Sequence, residues 1–299
     1  MSLLDVVLEY DCNLKCTYCT ITDEMRRRSL DAKVVAAHIQ ESARRGVKAL
    51  SITGGEPTIR RELVPLIRFA SAQGFDDIKL QSNGLLFSQR AYVDRLIEAG
   101  VTRFHVSVHG HTTADAALYG EITQGGREAH DLMLAGIANL VEAGTDPVVD
   151  LIMMRSTFDG LLEGVRDLHR RGVRSFRLWL VSLTDNNRDN VESLPRISEM
   201  VPAMRACLDY ARANRLEMLS LHVPRCFLGG YEEHVYHPGF GEDVTVVTPD
   251  AVFQLSASRL SGQRKTERCE GCHWFEKCPG LRDDYLERWG DAELEAVTS

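Results

Sequence analysis

The sequence has no apolar run approaching the roughly 18–20 residues of a membrane-spanning helix. It also lacks an excess of basic charge: 35 Lys and Arg stand against 43 Asp and Glu, for a net charge of −8. A chain built to coat nucleic acid or anionic lipid needs a basic surface, so neither partner is expected. The opening MSLLDVVLEYD has no basic n-region and no small-residue cleavage site. No secretory signal is therefore expected, and a cytoplasmic location is. Low-complexity runs are missing, and cysteine is missing between Cys19 and Cys207. Apolar residues are not lacking. At 44% apolar and 26% charged, 299 residues suffice for a core and exclude wholesale disorder. The length suits one large α/β domain with a small appendage.

The chain has 8 cysteines, although thiols stay reduced in the cytoplasm. They are clustered. Cys12, Cys16 and Cys19 form C-x3-C-x2-C near the start, and Cys269, Cys272 and Cys278 form C-x2-C-x5-C near the end, with Cys226 upstream and Cys207 alone. Two clusters at opposite ends of a chain in a reducing compartment point to two metal sites.

Between them, apolar β-branched runs alternate with amphipathic stretches. Strands are predicted over Leu3–Glu9, Ala49–Thr53, Ile78–Ser82, Phe104–Val108, Val148–Met154 and Phe176–Val181. Helices are predicted over Asp31–Arg45, Glu62–Gln73, Gln89–Ala99, Glu128–Ala143, Gly160–Arg171 and Ile197–Asn214, with Asp31 as an N-cap. Gly46, Gly74, Gly100, Gly144 and Gly172 follow five of them, where a left-handed residue ends a helix. Six strand–helix units imply a parallel sheet with right-handed crossovers, either an open doubly wound sheet or an incomplete barrel. After residue 222 the pattern changes to glycine- and proline-rich loops, a hairpin of Val244–Val247 with Val252–Leu255, and a short helix at Asp283–Arg288. Residues 1–222 are expected to form the main domain, and 223–299 a small metal-stapled one.

Cys12–Cys19 directly follows a strand. Three thiolates there can hold three irons of a [4Fe–4S] cube and leave the fourth open to a small molecule. A zinc knuckle would need a fourth ligand, and the nearest later histidine, His38, lies inside a predicted helix.

With Tyr18 before the last cysteine and Gly54-Gly55-Glu56-Pro57 after the second strand, the sequence resembles the radical S-adenosylmethionine (SAM) enzymes over roughly residues 3–222. The resemblance implies a partial (βα)6 TIM-type barrel with a small C-terminal iron–sulfur domain. It also implies SAM chelated on the open iron and cleaved reductively to a hydrogen-abstracting 5′-deoxyadenosyl radical. A flavodoxin- or ferredoxin-type electron donor goes with that chemistry. By the same resemblance Cys12, Cys16 and Cys19 are the catalytic cluster ligands, and Gly54, Gly55 and Glu56 contact the methionine end of SAM. Further candidates end later strands, where barrel sites gather. Gln81, Ser82 and Asn83 are expected at the ribose, Ser107 and His109 after the fourth strand, and Met153 and Arg155 after the fifth. Arg155 could pair with the SAM carboxylate. Trp179, Val181 and Ser182 are expected near adenine.

Cys226, Cys269, Cys272 and Cys278 supply four thiolates, enough for structural zinc or for a closed cluster. The C-terminal run resembles part of the SPASM and twitch extensions, which carry auxiliary [4Fe–4S] clusters. Ser256 stands where a further cysteine might, and none follows Cys278. One auxiliary cluster is expected, not two.

The expected function is radical SAM chemistry on a small polar molecule of sugar, aminocyclitol or nucleoside type, by oxidation, epimerisation or rearrangement. The single-auxiliary layout is similar to that of aminoglycoside-pathway dehydrogenases and epimerases of the family. With Ser256 in place of a thiol donor, oxidation or rearrangement is favoured over epimerisation, unless Cys207 or a tyrosine donates the hydrogen. Modification of a ribosomally made peptide is the alternative; a non-catalytic zinc or iron–sulfur protein is the alternative of another class. The basic run Met25–Arg28 and the polar run Asp185–Asn190 are candidates for substrate contact or for solvated loops. Cys207 is expected to be a small buried hydrophobe. His234, His237 and His273 are not needed as ligands.

Overall fold

The computed structural model describes residues 2–109, 114–257 and 262–298. In chain order the first elements are β1 (Ser2–Val7), α1 (Ala32–Arg44), β2 (Ala49–Thr53), α2 (Leu63–Ala72), β3 (Asp77–Ser82), α3 (Arg90–Ala99) and β4 (Arg103–Val108). There follow α4 (Ala116–Thr123), α5 (Gly126–Glu142), β5 (Val148–Met153), α6 (Leu161–Arg170), β6 (Ser175–Leu180) and α7 (Ile197–Asn214). The chain continues through β7 (Glu217–Leu221), β8 (Val235–Tyr236), β9 (Asp243–Val247), β10 (Val252–Gln254), β11 (Gln263–Arg264), β12 (Leu281–Arg282) and α8 (Asp283–Trp289). Among the described residues no helix is long and apolar enough to cross a membrane.

All six expected strand–helix units form, with ends shifted by a residue or two. Asp31 caps α1, its carboxylate accepting from the Lys33 amide at 2.7 Å. Gly100, at φ 118°, ends α3 in a conformation that a Cβ would strain. Strands β1 to β7 pair in sequence order, all parallel, as right-handed crossovers require. The sheet continues past residue 222. β8 pairs with β7, β9 lies parallel to β1 with Leu3 opposite Val244, and β10 pairs antiparallel with β9. The result is a partial barrel of ten strands in one open sheet. β11 and β12 form a separate antiparallel ribbon.

Side chains alternate across each strand. Val6, Ile52, Leu80, Val106, Leu151 and Leu178 face the helices and are buried. Against them pack Ile39, Ile67, Leu96, Ile137, Leu168 and Leu208 from the helices. The inward positions are unusual for a barrel, whose centre is commonly filled by bulky aliphatic layers. Asp5, Ser51, Lys79, Gln81, Arg103, His105, Asp150 and Arg177 instead line a cavity of about 330 Å³. The barrel therefore has a lumen.

Candidate functional site

At the C-terminal ends of the strands lies a second cavity, of about 370 Å³. Cys12, Cys16 and Cys19 line it together with Tyr18, Gly54, Gly55, Ser82, Asn83, Ser107 and Val181. Gln81, His109, Trp179 and Ser182, also anticipated from strand ends, line it too. Thr53, Gln81 and Trp179 border both cavities, so they form the floor of the upper chamber and the roof of the lower one.

The cysteine loop is held at several points. Leu14, between the first two cysteines, is buried. The Lys15 and Thr17 amides donate to Thr123 and Ile122 at the end of α4, at 3.2 and 2.8 Å. Amide hydrogens of Leu14 and Ile21 point at the sulfurs of Cys12 and Cys19, each at 3.4 Å. Arg26 donates to the carbonyls of Cys12 and Leu14 at 3.2 and 3.0 Å. Of the basic run, Arg28 pairs with Glu24 and Asp250, while Arg26 thus serves the loop. The polar run 185–190 does the same: the side-chain amides of Asn186 and Asn190 donate to the carbonyls of Cys19 and Thr17 at 3.0 and 3.2 Å. Their contribution was not visible in the sequence, because no pattern links residues so far apart.

Gly54 and Gly55 are required by a close backbone approach. A Cβ on Gly55 would meet the Asp11 carbonyl at 2.1 Å, and one on Gly54 the Glu9 carbonyl at 2.5 Å. The Gly55 and Glu56 amides donate to those same strand-end carbonyls, Glu9 and Asp11, each at 2.8 Å. The glycine motif therefore locks the second loop onto the cysteine loop.

Three expected cofactor contacts are placed elsewhere. Glu56 is fully buried and does not line the chamber. Its carboxylate accepts from the Thr58 amide and hydroxyl, from Ser82 Oγ at 2.8 Å and from the Asn83 amide at 2.7 Å. It staples β2 to β3 and positions Asn83. Met153 points to the helix layer and is buried, while its neighbour Ile152 faces the chamber. Arg155 pairs with Glu199 at 3.2 Å and lies over the Trp289 ring, outside the chamber.

Among the described residues the upper chamber is lined by no Lys or Arg. Burial, reinforced by neighbouring charges, pushes the Cys12 thiol up to about 11 and the Cys16 thiol to about 12. Burial also pushes His109 down to about 4. Arg26 tempers the rise of the two thiols without cancelling it, and three such crowded thiols suit a group that brings its own positive charge. Among the described residues no three His, Cys, Asp or Glu side chains converge on one ion. A cube that takes one iron per thiol does not ask them to. The residues fit a three-ligand iron–sulfur cluster.

Cys226, Cys269, Cys272 and Cys278 surround a narrow second cavity with Trp274, Phe275 and Leu294. Burial and the other three thiols push Cys226 up to about 12. His273 is not among the lining residues and stacks edge-on against Trp274. Cys207 is buried in the α7 core.

A curled parallel sheet carrying three cysteines after its first strand defines a class of SAM-dependent radical enzymes, and sequence comparison agrees. The profile of the Radical SAM superfamily matches residues 7–156. A probable GTP 3′,8-cyclase of Methanopyrus kandleri is 35% identical over 283 residues, covering 92% of this chain and 82% of that protein. Another, from Sulfurisphaera tokodaii, is 29% identical over 246 residues, covering 79% of this chain and 72% of that protein. The chain belongs to the radical SAM superfamily, and membership implies a [4Fe–4S] cluster and SAM. Among solved structures, Streptococcus suis SuiB bound to S-adenosylmethionine aligns with TM-score 0.70 at 15% identity, over 99% of this chain and 76% of that one. anSMEcpe with bound AdoMet and a peptide aligns with TM-score 0.72 at 15% identity, over 99% and 93%. At that identity the likeness speaks for the fold.

Proposed function

We propose that this chain cleaves SAM reductively and uses the resulting radical to abstract hydrogen from a small polar molecule of nucleoside or sugar type. The observation that carries the reading is the shared chamber. The three thiols of Cys12, Cys16 and Cys19 line one cavity with Gly54, Gly55, Ser82, Asn83, Ser107 and Val181, directly above a polar lumen. The two relatives named as GTP 3′,8-cyclases support a nucleoside-like substrate over a peptide. When bound, the cluster supplies the electron that splits SAM. The chain's own residues shape the chamber: Tyr18 packs on His109 with ring centroids 5.2 Å apart, and Glu56 holds Asn83 in place.

Cys226, Cys269, Cys272 and Cys278 are proposed to hold an auxiliary [4Fe–4S] cluster that serves as an electron acceptor. What supports this reading is that the four thiols ring one cavity, in a chain whose superfamily carries iron–sulfur clusters. Residues 1–222 are proposed as the radical SAM barrel and 223–299 as the auxiliary segment, which extends one edge of the sheet with β8 and the other with β9 and β10. Apart from the three cluster cysteines, no thiol lines either chamber among the described residues. Ser256 is exposed and lines neither chamber. Oxidation or rearrangement is therefore favoured over return of a hydrogen atom from a thiol. A flavodoxin or ferredoxin is the proposed donor, in the cytoplasm.

Anaerobically reconstituted protein is expected to hold roughly eight irons and to release 5′-deoxyadenosine from SAM on reduction. Cys16→Ala should abolish that release and halve the iron. Cys272→Ala should leave uncoupled cleavage while blocking product. Tight zinc at Cys12–Cys19, or no cleavage with that cluster intact, overturns the reading.

A further inference from the structure

The relatives named for GTP raise the question of whether this lumen could hold a triphosphate. Among the described residues its lower chamber is lined by three basic side chains, Lys79, Arg103 and Arg177, and three acidic ones, Asp5, Asp150 and Glu242. The basic set is largely committed. Arg103 is held bidentately by Asp77 at 2.6 and 2.7 Å. Arg177 donates to Glu217 at 2.8 Å and to the Phe176 carbonyl at 3.0 Å. Lys79 has no acidic partner among the described residues, but it shares its row of the sheet with Asp5: Asp5 lies opposite Ser51, and Ser51 opposite Lys79. Among the described residues the upper chamber adds no Lys or Arg. A triphosphate buried here would keep most of its charge unpaired, which is costly in a cavity shielded from water.

Among the described residues the chamber does offer buried polar atoms without partners. Asp150 is fully buried and takes hydrogen bonds from His105 Nδ1 and Trp179 Nε1, each at 3.2 Å. This fixes the imidazole, so that Nε2 is left to accept from the cavity. His105 is only 8% exposed, and its Nε2 has no partner. Asp5 Oδ1 and Ser51 Oγ are likewise buried and unpartnered. Such groups are rare in folded proteins and call for a ligand or ordered water.

We propose that the lower lumen binds an uncharged, hydroxyl-bearing ring, a nucleoside or sugar without phosphates, whose hydroxyls donate to His105 and Asp5 and accept from Lys79. This rests on the reading of the lumen as the substrate chamber and narrows it. A volume of about 330 Å³ suits a molecule of that size. The roof shared with the SAM chamber, Thr53, Gln81 and Trp179, places such a ring directly below the radical source.

The test uses cluster-loaded protein with SAM, titrated by calorimetry against guanosine, uridine, glucose, myo-inositol and GTP. At least one neutral probe should bind about tenfold more tightly than GTP. Nucleoside and sugar arms separate the two sources of the ring. His105→Phe and Asp5→Asn should each weaken that probe by about tenfold, the cost of one buried hydrogen bond. Asp5→Asn is isosteric and keeps the test open if His105→Phe fails to fold. Tighter binding of GTP than of every neutral probe, no binding of any neutral probe, or unchanged affinity in both variants overturns the proposal. Release of 5′-deoxyadenosine is read separately: its absence defeats the wider function, whereas the binding series judges the chamber.

Discussion

Glu9 sits at the end of β1 with its side chain almost wholly buried and Oε1 unpartnered, three residues before the first cluster cysteine. Burial raises its carboxyl to about 7, against a partly compensating pull from Arg60. A carboxyl raised on folding is stabilising in its protonated form. Its contribution is complete below the unfolded value of 4.5 and lost as pH climbs through about 7. Glu9→Gln should therefore leave thermal stability unchanged near pH 4.5 and raise it by about 2 kcal/mol at pH 8. An equal melting midpoint for both proteins at pH 8 would refute this. At this scale the cysteines and the Gly54–Gly55 pair were legible, because their spacing and residue type already state a chemistry. Glu56 was not, because its hydrogen-bond partners Ser82 and Asn83 lie on another strand. Met153 fails for a simpler reason. A strand exchanges faces at each residue, and a one-residue difference in where β5 enters the chamber delivers Ile152 instead.

The six strand–helix units of the barrel could be read from hydrophobic period and helix-ending glycines, local signals that tertiary packing reinforces. β7, β8 and α4 could not. β8 has only two residues, β7 reads Glu-Met-Leu-Ser-Leu without the β-branched residues that mark β2, and α4 is eight residues long with the poor helix former Gly120 inside it. The pairing of β9 with β1 joins residues some 240 positions apart, and no local pattern encodes it. The segment after β6 shows the same limit in functional form. Residues 185–190 look like a solvated polar loop, yet Asn186 and Asn190 clasp the cysteine loop by its carbonyls. Each such bond contributes roughly 1 kcal/mol. In the Asn186→Ala, Asn190→Ala double variant, bleaching of the cluster absorption by a chelator should run about tenfold faster, with the melting midpoint nearly unmoved. Unchanged bleaching would mean that Arg26 and the α4 contacts hold the loop alone.

At the scale of the whole molecule, a buried side chain of the C-terminal segment ties that segment to the lining of the upper chamber. Arg282 is 7% exposed. Its guanidinium donates to the carbonyls of Leu180 and Val181 at 2.9 and 2.6 Å and to Ser182 Oγ at 3.0 Å, and it pairs with Asp284 at 2.6 Å. Leu180, Val181 and Ser182 all line the upper chamber. Asp284 in turn accepts from the Leu183 amide at 2.8 Å. The segment bearing Cys269, Cys272 and Cys278 therefore fixes the end of β6 where the resemblance places adenine. Arg282→Leu leaves Asp284 buried without its cation and should cost roughly 3 kcal/mol of stability. Replacing both residues, Arg282→Leu with Asp284→Leu, removes the stranded charge and should restore much of that loss. SAM affinity should not recover with it, because the Leu180 and Val181 carbonyls and the Leu183 amide stay without partners and the strand end is free to shift. Measuring melting midpoint and SAM dissociation constant on both variants separates the two roles. If affinity returns together with stability, Arg282 is a structural tie alone; if it stays weak while the fold is restored, the C-terminal segment shapes the site of SAM binding.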